Sequence, residues 1–518
     1  MDLSADRNGV AMVLAPGSVT LNELRRLRSE RVQLQMHESA LRAVKAAHQA
    51  VTRTLQRGTI AYGINTGFGK FAQEIIPPDR LAELQTNLVL SHSTGTGALL
   101  PDEVVRMVMA LKAVSLARGH SGVRPDVIDA LLRLLNAGVY PCIPSKGSVG
   151  ASGDLAPLAH LAAALIGVGE VRVGGRTMPA PEGLRCAGVE PLALAPKEGL
   201  ALLNGTQVST ALGLVALFGA EDVLATALVT GALSLEAIKG SLKPFDARIH
   251  AARGHAGQIE VARVIRALVE GSAILASHAD CPRVQDPYSI RCQPQVMGAC
   301  LDNLRHAARV LEIESNAASD NPLIFAQDDT ILSGGNFHAE PVAFVCDLLA
   351  LVLAEIGALS ERRIALLVDA SLSGLPAFLV RDGGINSGFM VAHVTAAALA
   401  SDNKALSFPS TVDSLPTSAN QEDHVSMATN AARRLREMVE NSATIVGIEA
   451  MAAAQGIEFH RPLTSSTALE QTFQDIRRRV AFYERDRFLA PDIEAMKQWV
   501  LSAPAHASVK QILPSEAA

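Results

Sequence analysis

Long apolar segments with helical periodicity constrain this chain more than any other feature. They lie at residues 208–238, 341–367 and 431–454. A helix that is apolar on every side must be covered on every side by other parts of the fold. These segments therefore predict the centre of a bundle of long helices, which could be shared between subunits.

Shorter segments agree with a helical protein. One amphipathic pattern begins at Pro101 and stops at Gly119, and a second runs from Pro125 to Gly138. Proline at the start and glycine just past the end are the usual helix boundaries. Aromatic residues are only 4% of the chain, and charge alternates with apolar residues from 467 to about 500, a pattern typical of outer amphipathic helices.

Strand signals are sparse. The clearest covers residues 170–178 and predicts one short hairpin around Gly174-Gly175. We therefore predict an all-α, mostly helical protein. Residues 1–203 would form a smaller N-terminal domain of helices and loops, and residues 204–518 the long-helix bundle and oligomerisation domain.

Charge and cysteine usage exclude several classes of function. The net charge is −6, and the only basic tract, Arg477 to Arg479, has a helical pattern, so nucleic acid is a poor partner. The opening Met1-Asp2-Leu3 does not resemble a secretory signal. The longest apolar runs, 208–220 and 223–235, are separated by Glu221-Asp222 and are each too short to span a bilayer. No membrane partner is expected.

The cysteines predict reduced thiols in a cytoplasmic protein, because none has Cys-x-x-Cys or zinc-ligand spacing. They are Cys142, Cys186, Cys281, Cys292, Cys300 and Cys346.

The tripeptide Ala151-Ser152-Gly153 carries the chemistry. If the amide nitrogen of Gly153 attacks the carbonyl carbon of Ala151, a five-membered ring closes with loss of water, and glycine best permits so close an approach. Ser152 then loses its hydroxyl and its α-hydrogen as a second water, by β-elimination, which leaves an electron-poor methylidene group. The residues alone also allow a glycine-rich turn before a helix, or a phosphate-binding loop. The phosphate loop lacks the usual Gly-Lys-Ser/Thr ending and Gly-x-Gly-x-x-Gly spacing.

The longer string 146–161, KGSVGASGDLAPLAHL, resembles the histidine and aromatic amino acid ammonia-lyases. Further blocks resemble the same family in the same order, at 62–73, 91–93, 202–207, 281–299, 334–339, 383–391 and 421–428. The resemblance implies a methylidene-imidazolone (MIO) group formed from Ala151-Ser152-Gly153, with no metal or diffusible cofactor. It also implies a homotetramer whose active sites are each assembled from more than one chain.

The resemblance assigns three roles close to this group. Tyr62 would be the base that removes the β-hydrogen of the substrate. Asn204 would hydrogen-bond near the MIO group and the substrate amine, and Phe337 would form an apolar wall. Without the resemblance, Asn204 would be read as a helix cap and Phe337 as a core residue.

A second group lies at 285–291. Gln285, Tyr288 and Arg291 are spaced by three, so they could share a face of one helical turn, although Asp286-Pro287 makes a loop or helix start equally compatible. The planar fork of arginine suits a carboxylate. The resemblance assigns the substrate carboxylate to Arg291 and places Gln285 and Tyr288 beside the substrate.

Two residues are expected to determine the substrate specificity. His92 and Glu422 can each hydrogen-bond an imidazole. In phenylalanine lyases an apolar group typically replaces the first, and in phenylalanine and tyrosine lyases a glutamine typically replaces the second. A buried carboxylate facing a phenyl ring would be costly, so Glu422 favours L-histidine, with trans-urocanate and ammonia as products. A tyrosine or phenylalanine lyase, an aminomutase and an inactive helical scaffold are the alternatives.

Two further observations concern the neighbourhood of these residues. The stretch 421–424 contains two acids and His424, but it lacks partner ligands at helical spacing, so no metal site is predicted. The chain has Phe408 where the family usually has histidine, so the local polarity near the site is expected to differ.

Overall fold

The all-α class is confirmed. A computed structural model of the chain describes residues 10–30, 32–278, 284–504 and 507–516. It is 60% helical, with 8% of residues in strands. Cys281 and the opening Met1-Asp2-Leu3 lie outside the described residues.

Twenty-two α-helices are described. They are α1 (Leu21–Ser29), α2 (Ser39–Gln56), α3 (Leu81–His92), α4 (Asp102–Ala117), α5 (Pro125–Asn136), α6 (Leu155–Leu165), α7 (Ala180–Ala187), α8 (Glu198–Leu203), α9 (Gln207–Ala237), α10 (Ala247–Arg253), α11 (Ala256–Leu268), α12 (Ala273–Ala276), α13 (Tyr288–Arg291), α14 (Gln293–Ser315), α15 (Glu340–Val368), α16 (Ala370–Ser373), α17 (Met390–Leu406), α18 (Ala428–Arg433), α19 (Leu435–Glu458), α20 (Thr467–Arg479), α21 (Ala490–Leu501) and α22 (Ala507–Lys510). Short 3-10 turns occur at Gly69–Phe71, Pro78–Arg80, Lys243–Phe245, Ala377–Leu379 and Ser418–Asn420.

Nine short strands complete the described secondary structure. They are β1 (Val10–Leu14), β2 (Val32–Met36), β3 (Thr96–Leu99), β4 (Val139–Pro141), β5 (Pro144–Lys146), β6 (Glu170–Val173), β7 (Arg176–Pro179), β8 (Leu323–Phe325) and β9 (Thr330–Leu332). β1 and β2 pair in parallel, whereas β3 with β5, β4 with β6, β6 with β7 and β8 with β9 are antiparallel.

The predicted hairpin is present as β6 and β7. Val173 pairs with Arg176, and the two turn residues Gly174 and Gly175 have φ of 56° and 78°. A two-residue turn with positive φ at both positions matches the twist of its strands and favours glycine. The other strand pairs had no comparable glycine signal, and the sequence did not predict them.

The described chain divides into two compact units. The first comprises Met1–Val215, Arg309–Asp347 and Pro409–Arg433, and the second comprises Ala216–Ala308, Leu348–Phe408 and Arg434–Ala518. The boundary after residue 203 stays a prediction.

The central apolar segments form long helices, as predicted. The two apolar runs on either side of Glu221 and Asp222 belong to one continuous helix, α9, of 31 residues, which confirms the predicted segment 208–238. Each run alone is too short to span a bilayer, but the whole helix is not. α9 and α15 both have the length and hydropathy of a membrane span, but 94% and 61% of their apolar windows are buried inside the protein. Core helices of soluble proteins pass the same test, so these two helices are weak evidence for a membrane.

The second unit contains a buried ion pair. Arg363 and Glu449 are both fully buried, and Arg363 Nε donates to Glu449 Oε1 at 2.5 Å. The hydroxyl groups of Thr230 and Ser234 also donate to the Glu449 carboxylate, at 3.2 and 2.7 Å. A buried charge is stable only when it is paired and hydrogen-bonded, so this network fixes how the surrounding helices pack.

Candidate active site

The tripeptide lies in a tight loop of the first unit, between β5 and α6. Ser152 has φ of 52° and Gly153 has φ of 80°. An L-residue such as Ser152 is disfavoured in this left-handed region, and such strain tends to occur at functional sites. A Cβ added to Gly153 would lie 2.7 Å from the carbonyl carbon and 3.0 Å from the amide nitrogen of Gly205, and closer still to the carbonyl oxygen. Only glycine fits position 153.

Hydrogen bonding in this loop argues against a phosphate site. The amide of Gly153 donates to Gly150 O at 3.2 Å, and the amide of Asp154 donates to Gly205 O at 2.8 Å. The amide of Gly150 takes Ser148 Oγ as its acceptor. A phosphate loop needs its N–H groups free to face the anion, whereas these three have internal acceptors.

Asp154 anchors the loop to the first turn of α9. Its fully buried carboxylate accepts from the amides of Val208 and Ser209 at 3.0 and 2.8 Å and from Ser209 Oγ at 2.9 Å. The partial positive charge of a helix N-terminus favours such an anion. Burial raises the pKa of Asp154, and these donors oppose the rise. The sequence prediction gave Asp154 no role, although it directly follows the tripeptide.

Asn204, the residue directly after α8, contacts the loop. Its Nδ2 donates to the carbonyl oxygen of Ser152 at 2.8 Å. Its Oδ1 is buried and has no hydrogen-bond partner among the described residues, which leaves an acceptor for the amino group of a bound molecule. Asn204 is therefore in direct contact with the tripeptide.

Lys112 contacts the backbone of Asn204. The sequence prediction did not include Lys112. Its ammonium group is buried and donates to the carbonyl oxygens of Asn204 and Ala201 at 2.8 and 3.1 Å. Burial lowers the pKa of Lys112 to about 7. In the sequence, Lys112 is recognisable only as a lysine on the apolar face of α4. That position does not indicate which groups it contacts.

Glu422 lies directly against the tripeptide. Ser152 Oγ donates to Glu422 Oε1 at 2.7 Å. The other carboxylate oxygen accepts from Thr417 Oγ1 at 3.1 Å and from Ser418 Oγ. These donors fix the carboxylate in one orientation, and the sequence prediction included neither Thr417 nor Ser418.

His92 is the last residue of α3. Its Nδ1 lies 3.0 Å from Ser91 Oγ. Burial lowers the pKa of His92, although a backbone hydrogen bond and the charge of Glu422 oppose this. A neutral imidazole is therefore favoured near neutral pH.

A cavity of about 1160 Å³ in the first unit brings together most of the predicted residues. Its lining includes Tyr62, His92, Ser152, Asn204, Phe337 and Glu422. The amide of Gly69 donates to the Tyr62 hydroxyl at 3.2 Å, and Phe68 packs edge-on against the Tyr62 ring. Ala151 and Gly153 flank Ser152 in the loop, and they contribute the backbone atoms of the tripeptide.

Three predicted residues belong to the second unit and do not line this cavity. Gln285 precedes the short helix α13, which holds Tyr288 and Arg291. Tyr288 is 70% exposed, and the Arg291 guanidinium lies 4.4 Å from the centre of its ring. Arg291 Nε has no hydrogen-bond partner among the described residues. Asp286-Pro287 was compatible with a loop or with a helix start. The structure has a helix start, because α13 begins directly after Pro287.

Phe408 is also in the second unit. Its side chain is 74% exposed, and its carbonyl oxygen accepts from Arg434. It does not line the cavity of the first unit, and the expected change of polarity near the site stays a prediction.

An Ala-Ser-Gly turn held in left-handed backbone beside a tyrosine, an asparagine and a fixed carboxylate fits a class of enzymes, the amino acid lyases that use such a tripeptide. Comparison with known proteins identifies the family. The chain matches the model of the aromatic amino acid lyases over residues 19–478. It belongs to that family, whose reaction cleaves a carbon–nitrogen bond.

Relatives and solved structures agree with this assignment. The chain is 66% identical over 504 residues to a histidine ammonia-lyase of Paracidovorax citrulli, covering 97% of this chain and 98% of that protein. It is similar to the crystal structure of histidine ammonia-lyase from Trypanosoma cruzi, with TM-score 0.90, 40% identity and coverage of 98% and 96%. Tyrosine aminomutase from Streptomyces globisporus also has TM-score 0.90, with 36% identity and coverage of 95% and 97%.

Proposed function

We propose that this chain is a histidine ammonia-lyase, which converts L-histidine to trans-urocanate and ammonia. The observation that carries the proposal is the pairing of Glu422 with His92 in one cavity, beside the tripeptide. Both can hydrogen-bond an imidazole, and the hydroxyl groups of Thr417 and Ser418 hold the Glu422 carboxylate in place. The 66% identity to a protein named histidine ammonia-lyase supports the same substrate.

The residues present fit an MIO group. Ser152 and Gly153 already have the left-handed backbone of a tight turn, and position 153 excludes any side chain. When formed, the group supplies an electron-poor methylidene carbon that draws electrons from the substrate. Asn204 Nδ2, which donates to the Ser152 carbonyl oxygen, would stabilise negative charge on that oxygen.

Tyr62 is the group that takes the β-hydrogen. Its hydroxyl oxygen accepts from the Gly69 amide at 3.2 Å, and this donor would stabilise the oxygen while it is anionic. The phenol lines the same cavity as Ser152. A base must lie within hydrogen-bond reach of the proton that it removes, so the substrate β-carbon would lie between the tyrosine and the tripeptide.

Glu422 and His92 hold the substrate ring. The Glu422 carboxylate accepts an N–H of the imidazole and stabilises positive charge on that ring. His92 is favoured in its neutral form because burial lowers its pKa, so one of its nitrogens can accept and the other can donate. An apolar ring would leave the Glu422 carboxylate without its partner, at a cost of about 1–3 kcal/mol.

The substrate carboxylate needs a positively charged partner. None of the predicted residues that line the cavity of the first unit is an arginine or a lysine. We propose that Arg291, with Gln285 and Tyr288, is supplied by another subunit of a homotetramer. Two observations support this proposal. Tyr288 is exposed, and Arg291 Nε has no hydrogen-bond partner among the described residues, so both are available to another subunit. Cysteine usage supports a cytoplasmic location.

The test compares L-histidine, L-tyrosine and L-phenylalanine as substrates of the purified protein, with each product identified. We expect urocanate from histidine at the highest kcat/KM. Turnover of tyrosine or phenylalanine well above that of histidine would overturn the substrate, and a β-amino acid product would indicate an aminomutase.

Ser152→Ala tests the tripeptide. It should abolish urocanate formation and the near-ultraviolet absorption of the MIO group, while circular dichroism stays unchanged. Ser145→Ala, in the preceding strand β5, is the matched control and should keep both. Parental activity in Ser152→Ala would exclude the MIO group, and a parental protein with neither activity nor this absorption would favour the inactive scaffold.

A further inference from the structure

Two histidines and a glutamate meet in the first unit, outside the set of residues given a role above. His338 and Glu340 lie at the start of α15, and His424 comes from a loop 84 or more residues later in the chain. Their possible ligand atoms all lie within 4.8 Å of one another. We propose that His338, Glu340 and His424 form a binding site for a divalent transition-metal ion, with zinc as the best fit.

The hydrogen bonding of His338 leaves one of its nitrogens as a ligand. His338 Nε2 lies 3.3 Å from the carbonyl oxygen of His424. A carbonyl oxygen only accepts, so Nε2 carries the hydrogen, and Nδ1 of the neutral ring has a free lone pair. Ligating histidines commonly donate their other N–H to a backbone carbonyl, which fixes the ring and its tautomer.

Glu340 presents a carboxylate oxygen to that lone pair. Its Oε2 lies 3.9 Å from His338 Nδ1. This oxygen is buried and has no hydrogen-bond partner among the described residues. A buried carboxylate oxygen without a partner is costly, and here it faces a second acceptor. A cation between the two atoms would satisfy both.

The distances suit one ion after small movements of the three side chains. Zinc is tetrahedral and lies about 2.0–2.1 Å from nitrogen and 2.0–2.2 Å from oxygen ligands, so two ligand atoms on the same ion are about 3.4 Å apart. The 3.9 Å between His338 Nδ1 and Glu340 Oε2 must therefore shorten by about half an ångström. The imidazoles of His338 and His424 are stacked with an interplanar angle of 5°, and the exposed His424 is free to rotate toward the ion.

The donor set selects the type of metal. Two imidazoles and one carboxylate are typical ligands of zinc, whereas calcium and magnesium prefer oxygen ligands alone. Three protein ligands leave a further position for water. No metal site was predicted at 421–424 because that stretch has no partner ligands at helical spacing. In the structure, the partner ligands come from the distant start of α15.

An ion here would connect two segments that line the cavity described above. Phe337 directly precedes His338, and Glu422 precedes His424 by two residues. The site itself is defined by its three ligands and does not depend on the reaction, so it can be tested without substrate.

The experiment measures metal binding by the full-length protein after treatment with a chelator and its removal. Zinc is titrated in competition with a chromophoric chelator, and cobalt(II) is used as a visible-absorption probe of ligand geometry. We expect about one ion per chain and cobalt bands typical of nitrogen and oxygen ligands. Glu340→Gln and His424→Ala should each weaken binding at least 10-fold.

His37→Ala is the matched control, since His37 is an exposed histidine that interacts with Ser39 and lies outside the cluster. It should bind zinc as the parental protein does. Equal binding by Glu340→Gln, His424→Ala and the control would overturn the site. Absence of zinc binding in the folded parental protein would also overturn it. Circular dichroism of each variant establishes that it is folded.

Discussion

Gly153→Ala should damage this protein more than an ordinary glycine substitution does. The added Cβ would lie 2.7 Å from the carbonyl carbon of Gly205, so the loop must move. An L-residue in left-handed backbone costs about 1–2 kcal/mol by itself. Movement would also break the hydrogen bond from Asp154 N to Gly205 O, and buried groups left without a partner cost about 1–3 kcal/mol. The expected loss is therefore about 2–5 kcal/mol of unfolding free energy, together with catalytic activity.

Gly169→Ala separates backbone strain from steric clash. Gly169 has φ of 81°, nearly the same as Gly153, but an added Cβ there would have no atom within 4 Å. It should lose only about 1–2 kcal/mol and keep its activity. Both variants are compared with the parental protein by urea unfolding at one protein concentration and by urocanate formation. Equal stability losses in the two variants, or full activity in Gly153→Ala, would refute the reasoning.

Three further predictions concern buried or catalytic charge. Burial lowers the pKa of Lys112 to about 7 from its ordinary value of 10.5, so the unfolded chain binds the extra proton between these values and the free energy of unfolding should rise with pH across that window. Lys112→Met should flatten this rise in urea unfolding at several pH values, and an unchanged slope would contradict the assignment. Lys197→Met should lose about 3–5 kcal/mol because it leaves Asp320, whose carboxylate it contacts at 2.6 Å, buried and unpaired. The double variant with Asp320→Asn should regain part of that loss, and no recovery would mean that the two charges are not coupled. Glu422→Gln should lower kcat/KM for L-histidine by about 10- to 100-fold, since a hydrogen bond to a charged group contributes about 1.5–3 kcal/mol. Unchanged kcat/KM would remove Glu422 from the histidine-binding set.

Local sequence determined much of the fold and the identity of most candidate residues. Apolar periodicity predicted the long helices now seen as α9, α15 and α19, and Gly174-Gly175 predicted the hairpin. Such signals depend on residues within a few positions of each other, so one sequence displays them directly. The charged pair Glu221 and Asp222 does not interrupt this periodicity, and both residues are buried inside the continuous helix α9.

Only the tertiary structure decided which distant residues meet. Ser152 and Glu422 are 270 positions apart and share a 2.7 Å hydrogen bond. The capping of α9 by Asp154, and the approach of His424 to the start of α15, depend likewise on how the chain packs, which no local pattern records. The sequence by itself determined the helices and the Ala-Ser-Gly tripeptide, because these depend on neighbouring residues. The cavity, its fixed carboxylate and the His338, Glu340 and His424 cluster were decided by tertiary packing, because distances between remote side chains exist only once the helices are in place.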